Sequence, residues 1–167
     1  INLPIGNSGT YDLEYSAVTS GTYSLTWEDQ FDTYATGVQL AVQNPAQWTT
    51  WSNAPGSAED PYVSTEQAYT GSNSIKIEGV NDCVHTFGNL TSGSYLISHR
   101  MYVAAGYVGY FYTLLLFNGA NSEWGMQVAY EVDGTATLDA GVFSAATFNY
   151  TPDTCMLNEV YVDLDND

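Results

Sequence analysis

Residues 123–139 have the sequence EWGMQVAYEVDGTATLD, and this stretch decides the predicted fold class. Two runs rich in aromatic and β-branched residues flank the dipeptide Asp133-Gly134. Asp-Gly is typical of a two-residue hairpin turn, because such a turn needs residues that tolerate a positive φ angle. The stretch therefore predicts an antiparallel hairpin with strands at residues 123–132 and 135–139.

The same pattern continues on both sides of this hairpin. Short runs rich in Tyr, Val, Ile, Thr and Phe lie between turn signals that contain Gly, Pro, Asn or Asp. Residues 74–78 alternate polar and apolar side chains, as a half-buried strand does. No stretch shows a convincing helical period. Many short strands with regular turns predict an all-β fold: an antiparallel sandwich, a jelly roll or a barrel.

The composition restricts the partners that the protein can have. The chain has 167 residues, 44% of them hydrophobic, which suffices for one domain with a core. Its 19 acidic and 2 basic residues give a formal net charge of −17. Such a charge repels phosphate backbones, so we expect no nucleic-acid binding. We also expect no membrane insertion, because no apolar run reaches the roughly 18 residues of a membrane helix.

The predicted domain covers residues 27–167. Residues 1–26 are rich in Ser, Thr and Tyr and form a linker or an added edge strand. We expect a processed form, since the chain starts at Ile1 without a visible signal peptide. The strand at residues 158–164 runs into a turn at 165–167, so we expect the domain to lack its last strands. A bound C-terminal fragment, a neighbouring subunit or residues 1–26 would then complete the sheet.

A series of short motifs, in this order, resembles the MAM-like and laminin-G-like jelly rolls of concanavalin type. In particular it is similar to modules of exported Bacteroidetes surface proteins that carry a C-terminal sorting domain. The motifs are Phe31–Tyr34, Trp48–Asn53, Gly56–Pro61, Tyr69–Ile75, Gly109–Phe111, Glu123–Gly125, Phe148–Tyr150 and Val162–Asp165. The resemblance implies an antiparallel β-sandwich of jelly-roll type, type 9 secretion to the cell surface, and an accessory role in binding glycan or protein.

The ligand-binding residues are sought in one aromatic and polar region. Trp48, Trp51 and Tyr62 surround a loop that contains Asn53, Glu59 and Asp60, and Tyr69 lies nearby in the sequence. Flat rings beside amide and carboxylate groups suit a sugar, which has an apolar face and many hydroxyls. The alternative is that both tryptophans pack in the core.

A calcium site is predicted at the end of the chain. Asp163, Asp165 and Asp167 place carboxylates at alternating positions, and Ca²⁺ binds oxygen ligands. In jelly rolls of this type the first and last strands are often neighbours, so the resemblance lets Glu28, Asp29 or Asp32 complete the site. The alternative is a solvated acidic turn.

The remaining chemistry-bearing residues point away from catalysis. Cys83 and Cys155 have no CxxC spacing, so zinc is not expected, and in a chain of export-like composition we expect them to form a disulfide; the alternative is two buried thiols. His85 and His99 are the only imidazoles, and residues 131–133 offer two carboxylates where related glycosidases have three. We therefore expect a non-catalytic recognition or adhesion module. The alternatives are a structural subunit that assembles by strand sharing and a glycoside hydrolase or lyase.

Overall fold

A computed structural model describes residues 26–140 and 145–165. The protein is nearly all β, with 41% strand and 4% helix, and its strand pairs are antiparallel, which confirms the predicted all-β class. The elements are α1 (Leu40–Gln43), a 3₁₀ turn (Gly119–Asn121), β1 (Trp48–Thr50), β2 (Tyr62–Ser64), β3 (Ser74–Lys76), β4 (Cys83–His85), β5 (Ser94–Tyr102), β6 (Gly109–Leu116), β7 (Glu123–Tyr130), β8 (Thr135–Asp139), β9 (Ala146–Asn149) and β10 (Cys155–Asp163).

The predicted hairpin forms the centre of a four-stranded sheet with the order β6-β7-β8-β9. Its turn is one residue longer than predicted. The amide of Glu131 donates to the Thr135 carbonyl at 2.8 Å, so the loop between them holds three residues. Within it only Gly134 has a positive φ angle, +84°, whereas the predicted two-residue turn requires two such residues. The Asp133 carboxylate accepts hydrogen bonds from the Thr135 amide and hydroxyl and so fixes the turn.

The main core lies between this sheet and the β5–β10 pair. β5 and β10 are in register over nine residues, from Cys155 opposite Tyr102 to Asp163 opposite Ser94. Tyr130 of β7 is 2% exposed, and its hydroxyl donates to Asn158 of β10. The other buried members of the cluster are Val103, Val128 and Ala136, with Met101, Phe111, Met126, Leu138, Phe148, Tyr150 and Met156 packed around them. Burial of these side chains drives the two layers together.

A buried carboxylate organises the segment between α1 and β2. Asp60 is fully buried and accepts hydrogen bonds from the amides of Ala41 at 2.8 Å, Val42 at 3.2 Å and Gly56 at 2.9 Å. These amides belong to the start of α1 and to the loop after β1, and they would otherwise be left without partners. Asp60 thus joins the start of α1 to the loop after β1 from a buried position. The sequence predicts Asp60 as a ligand-binding residue at the surface, whereas in the structure its side chain is buried.

A second carboxylate fixes the loop before β3. Asp32 accepts hydrogen bonds from the amides of Ser72 at 2.7 Å and Asn73 at 3.0 Å. Gly71 precedes them with a φ angle of +64°, and a Cβ atom there would lie 1.7 Å from Asp32 Oδ2. Only glycine combines this backbone conformation with so close an approach.

We predict that Gly71→Ala costs at least about 1 kcal/mol more unfolding free energy than Gly79→Ala. Gly79 has nearly the same φ angle, +62°, but open space around its Cα, so it carries the conformational cost alone. The extra cost at position 71 comes from displacing Asp32. Urea denaturation of both variants measures the difference, and equal losses would show that the contact with Asp32 does not constrain the loop.

The two cysteines are free in the structure, which corrects the predicted disulfide. Cys83 lies on β4 opposite Thr50, whereas Cys155 begins β10 opposite Tyr102, so they belong to different sheets. Burial, with a smaller contribution from Asp82 and Asp60, raises the pKa of the Cys83 thiol to about 12. Cys155 is exposed.

We predict that the unreduced, folded protein contains two thiols of very different reactivity. Thiolate is the reactive form, so a pKa of about 12 at Cys83 should slow its alkylation at least about a hundredfold relative to an ordinary cysteine. Timed iodoacetamide labelling with mass spectrometry measures this. Cys155→Ser isolates Cys83, and labelling in urea should remove the delay. If the unreduced protein contained no free thiol, the result would contradict this prediction and support a disulfide between Cys83 and Cys155.

Candidate functional site

A cleft of about 460 Å³ opens beside the end of β1, where the chain faces the turn that follows β6. One wall comes from residues 45–53 and the other from residues 117–119. This volume lies within the range of small-ligand pockets. The lining residues are Pro45, Gln47, Trp48, Thr49, Trp51, Ser52, Asn53, Thr86, Phe117, Asn118 and Gly119.

The ring of Trp48 is fixed in its place by polar and aromatic contacts. Its indole nitrogen donates to Asp29 Oδ2 at 3.0 Å, and the same carboxylate accepts a hydrogen bond from the Tyr34 hydroxyl. The ring lies 5.9 Å from that of Phe31 and 5.2 Å from that of His85, both in tilted geometry. Burial lowers the pKa of His85, which favours the neutral ring beside Trp48.

Trp51 joins β1 to the four-stranded sheet. Its ring stacks on that of Trp124 at 5.8 Å, and it meets the rings of Phe117 at 6.0 Å and Tyr112 at 6.3 Å. We call Trp51, Tyr112, Phe117 and Trp124 the junction cluster. Aromatic pairs in such geometry contribute roughly 0.5–1.5 kcal/mol each beyond their burial. The cluster therefore holds the two walls of the cleft at a fixed separation.

A hydrogen bond across the junction reinforces this cluster. The Tyr112 hydroxyl donates to the Asp82 carboxylate, which immediately precedes β4. Burial raises the pKa of Asp82, although the hydrogen bond from Tyr112 opposes the rise. Burial, together with the hydrogen bond to Asp82, raises the pKa of Tyr112 as well. The environment of Asp82 therefore disfavours the ionised form of its carboxyl group.

The polar part of the cleft consists of side-chain amides. Asn53 has a φ angle of +52°, and its Oδ1 accepts the Thr49 hydroxyl at 2.8 Å. Asparagine adopts this left-handed conformation more readily than most residues, because its short polar side chain can hydrogen-bond locally. Within residues 26–140 and 145–165, the amide nitrogen of Asn53 and the side-chain amides of Gln47 and Asn118 make no hydrogen bond. These groups remain able to bind a polar ligand.

We predict that wild-type protein loses stability relative to Asp82→Asn as the pH rises from about 4 to 7. The amide that this substitution introduces is neutral at every pH and can still accept the Tyr112 hydrogen bond. In the wild type, folding favours protonated Asp82, because the pKa of this group is raised in the folded state. The stabilisation that this protonation contributes is therefore complete below the ordinary Asp pKa of about 3.9. It disappears as the pH passes the raised pKa of the folded state.

Denaturant unfolding at several pH values measures this difference. The same comparison is made between Tyr112→Phe and the Tyr112→Phe/Asp82→Asn double variant. There the pH-dependent difference in stability should be larger, because the removed hydrogen bond stabilises the ionised carboxylate. A difference that stays constant with pH, or that reverses in sign, would contradict the assigned environment of Asp82.

The structure brings together part of the predicted ligand-binding set. Trp48, Trp51 and Asn53 line the cleft. Glu59 lies behind it, where its carboxylate accepts the Ser52 amide at 2.8 Å and the Ser52 hydroxyl at 2.7 Å. Tyr62 is on β2, is 51% exposed and does not line the cleft.

Sequence reasoning missed several residues of the opposite wall and the rim. Gln47 and Thr86 carry no distinctive motif, and Phe117 and Asn118 are distant in sequence from β1. The only sequence signal at this wall was the turn signal that begins with Asn118-Gly119. A turn signal locates a loop but does not say which strand that loop faces.

The residues predicted to bind calcium have other partners. Asp29 and Asp32 accept the hydrogen bonds described above, and Glu28 accepts one from Gln30. Asp165 accepts the Gly93 amide at 2.9 Å, and Asp163 accepts the Asp165 amide at 3.1 Å. Asp167 lies outside the described residues. No group of three or more potential metal ligands occurs in the described part of the chain, which leaves out Asp167, so the calcium site stays a prediction.

Comparison with known proteins gives no relative: no family model matches the chain, and neither a curated protein nor a solved structure is significantly similar to it. Among the described residues, no helix is both long and apolar enough to cross a membrane.

Proposed function

We propose that the protein is a non-catalytic carbohydrate-recognition module that binds a sugar in the cleft beside β1. The observation that supports this proposal is the combination of three aromatic rings and three side-chain amides whose N–H groups make no hydrogen bond within the described residues, all around one opening. The rings are those of Trp48, Trp51 and Phe117, and the amides are those of Gln47, Asn53 and Asn118. We further propose a jelly-roll module of a secreted or cell-surface protein, as the resemblance implies.

The chemistry of the cleft suits a sugar. A pyranose ring presents an apolar face of C–H groups, which packs against an aromatic ring, and hydroxyls around its edge. A side-chain amide both donates and accepts, so it can satisfy a hydroxyl in either role. The contacts of Trp48 with Asp29, Phe31 and His85 hold its ring in place before a ligand arrives. Little conformational entropy is then lost on binding.

The same lining argues for recognition without catalysis. Hydrolysis of a glycosidic bond requires a pair of carboxyl groups at a set separation. Among the described residues that line the cleft, none is Asp, Glu or His. The nearby Glu59 carboxylate is committed to the amide and hydroxyl of Ser52. This arrangement supports binding rather than turnover.

Strand sharing with another molecule is the second candidate function. β6 lies at the end of the described four-stranded sheet, and its sequence GYFYTLLL contains neither a charged residue nor a proline. Leu115 in this strand is 65% exposed. Natural edge strands usually carry charged residues or prolines. The pairing of β6 with β7 is irregular only at residues 113–116, so the regular part of this edge favours pairing with a further strand. This candidate requires an oligomer, whereas the recognition module does not, so the molar mass in solution separates them.

We predict that the protein binds oligosaccharides on a glycan array and that Asn53→Gly/Asn118→Ala weakens binding at least about fivefold. Each amide hydrogen bond contributes roughly 0.5–1.5 kcal/mol, so the loss of two is measurable. Glycine at position 53 keeps the positive φ angle while removing the amide. Titration calorimetry with the best glycan from the array measures the affinity.

Asn149→Ala is the matched control. Asn149 is exposed on β9, opposite Thr135, and is not part of the cleft lining. It should leave the affinity unchanged, and thermal melting of each variant shows whether the fold is intact. Failure of a folded wild-type protein to bind any glycan, or equal weakening by the control, would refute carbohydrate recognition at this cleft.

A further inference from the structure

The cleft differs in charge from the rest of the protein. The chain carries 19 acidic residues, yet every residue that lines the cleft is uncharged. Its polar side-chain groups are amides, hydroxyls and the indole N–H groups of two tryptophans. A binding surface selects the charge of its ligand through the charged groups that it presents, so this lining contains information about the ligand.

An anionic ligand would find no cation at this site. Lys76 and Arg100 are the only basic side chains of the chain. The ammonium of Lys76 lies 3.0 Å from Glu66 and 3.3 Å from Glu78, and the guanidinium of Arg100 lies 4.1 Å from the centre of the Tyr69 ring. Neither residue lines the cleft. A carboxylate or sulfate moved into it would lose hydration without gaining an ion pair.

An acidic group that is hydrogen-bonded to a lining residue adds to this effect. Glu59 lies directly behind Ser52, and the two hydrogen bonds from Ser52 lower the pKa of its carboxyl, with the side-chain bond contributing most. The group is therefore ionised at neutral pH and repels an anion in the cleft. It is not itself part of the lining, so it offers no direct ion pair to a cationic sugar.

We infer that the ligand is an uncharged glycan, recognised by ring stacking and amide hydrogen bonds, and that acidic sugars are excluded. This inference rests on the proposed carbohydrate recognition and adds the ligand class. The acidic surface rejects uronates and sulfated sugars at long range, and the cleft rejects them again on contact. Amino sugars are attracted by the net charge of −17 but gain no partner inside.

The test uses a glycan array in which neutral oligosaccharides stand beside their charged counterparts. Suitable neutral probes are cellohexaose, mannohexaose and the N-acetylglucosamine hexamer. Their counterparts are the glucuronate hexamer, a sulfated mannohexaose and the de-N-acetylated glucosamine hexamer. We expect the strongest binding to neutral glycans, with at least about tenfold weaker affinity for each acidic counterpart.

Salt dependence provides a second readout. The affinity for a neutral glycan should change less than about twofold between about 0.05 M and 0.5 M NaCl, because no charge pair is screened. Binding of the de-N-acetylated hexamer, which depends on long-range attraction, should weaken over this range. Asn118→Lys places a cation at the rim, and it should raise the affinity for the glucuronate hexamer while Asn149→Lys does not.

The outcomes separate this inference from the proposed function. Preference for an acidic counterpart over its neutral parent would overturn the ligand class and leave carbohydrate recognition standing. Preference for the amino-sugar hexamer at high salt would do the same. A folded protein that binds no glycan on the array would overturn both.

Discussion

The contact between Trp51 and the β6–β7 part of the sheet is the constraint on which the geometry of the cleft depends. β1 pairs only with β4 among the described strands, and β6 belongs to a different sheet. No backbone ladder therefore fixes the distance between the two walls of the cleft. The junction cluster and the bond from Tyr112 to Asp82 supply that connection through side chains. The geometry of the cleft is accordingly determined by aromatic packing, and its stability depends on the charge of Asp82, which is half-buried.

In this protein, carboxylates accept hydrogen bonds from backbone and side-chain donors where most proteins have ion pairs. With only two cations in the chain, an acidic residue rarely finds a basic partner. Asp60 instead accepts three backbone amides, and Asp29 and Asp32 accept amides or an indole and a hydroxyl. Charge-assisted bonds of this kind are stronger than neutral ones. A protein with a large negative charge can thus use part of that charge to close its own loops.

This use of carboxylates explains where the sequence could not predict the site. An Asp in a polar loop has the same sequence pattern whether it faces a ligand, a metal or a backbone amide. Asp60 and Asp32 were therefore grouped with ligand and calcium residues, although the structure engages them internally. Features that depend on neighbouring residues could be predicted from the sequence. They are the hairpin at residues 123–139 and the proximity of Trp48, Trp51 and Asn53. Phe117 and Asn118 depend on long-range packing, which no short motif specifies.

The neutral cleft becomes intelligible when these two constraints are combined. The side chains around it are fixed by aromatic contacts, and the neighbouring acids are turned toward backbone amides or other loops. What remains at the opening is a set of amides whose N–H groups make no hydrogen bond within the described residues, those of Gln47, Asn53 and Asn118. An exposed amide is hydrated by water, so leaving it without a protein partner costs the fold little stability. In the proposed function, a ligand with hydroxyl groups and an apolar face can satisfy these amides and cover the rings together. The acidic surface would then add discrimination, because a net charge of −17 weakens the approach of anions to the cleft.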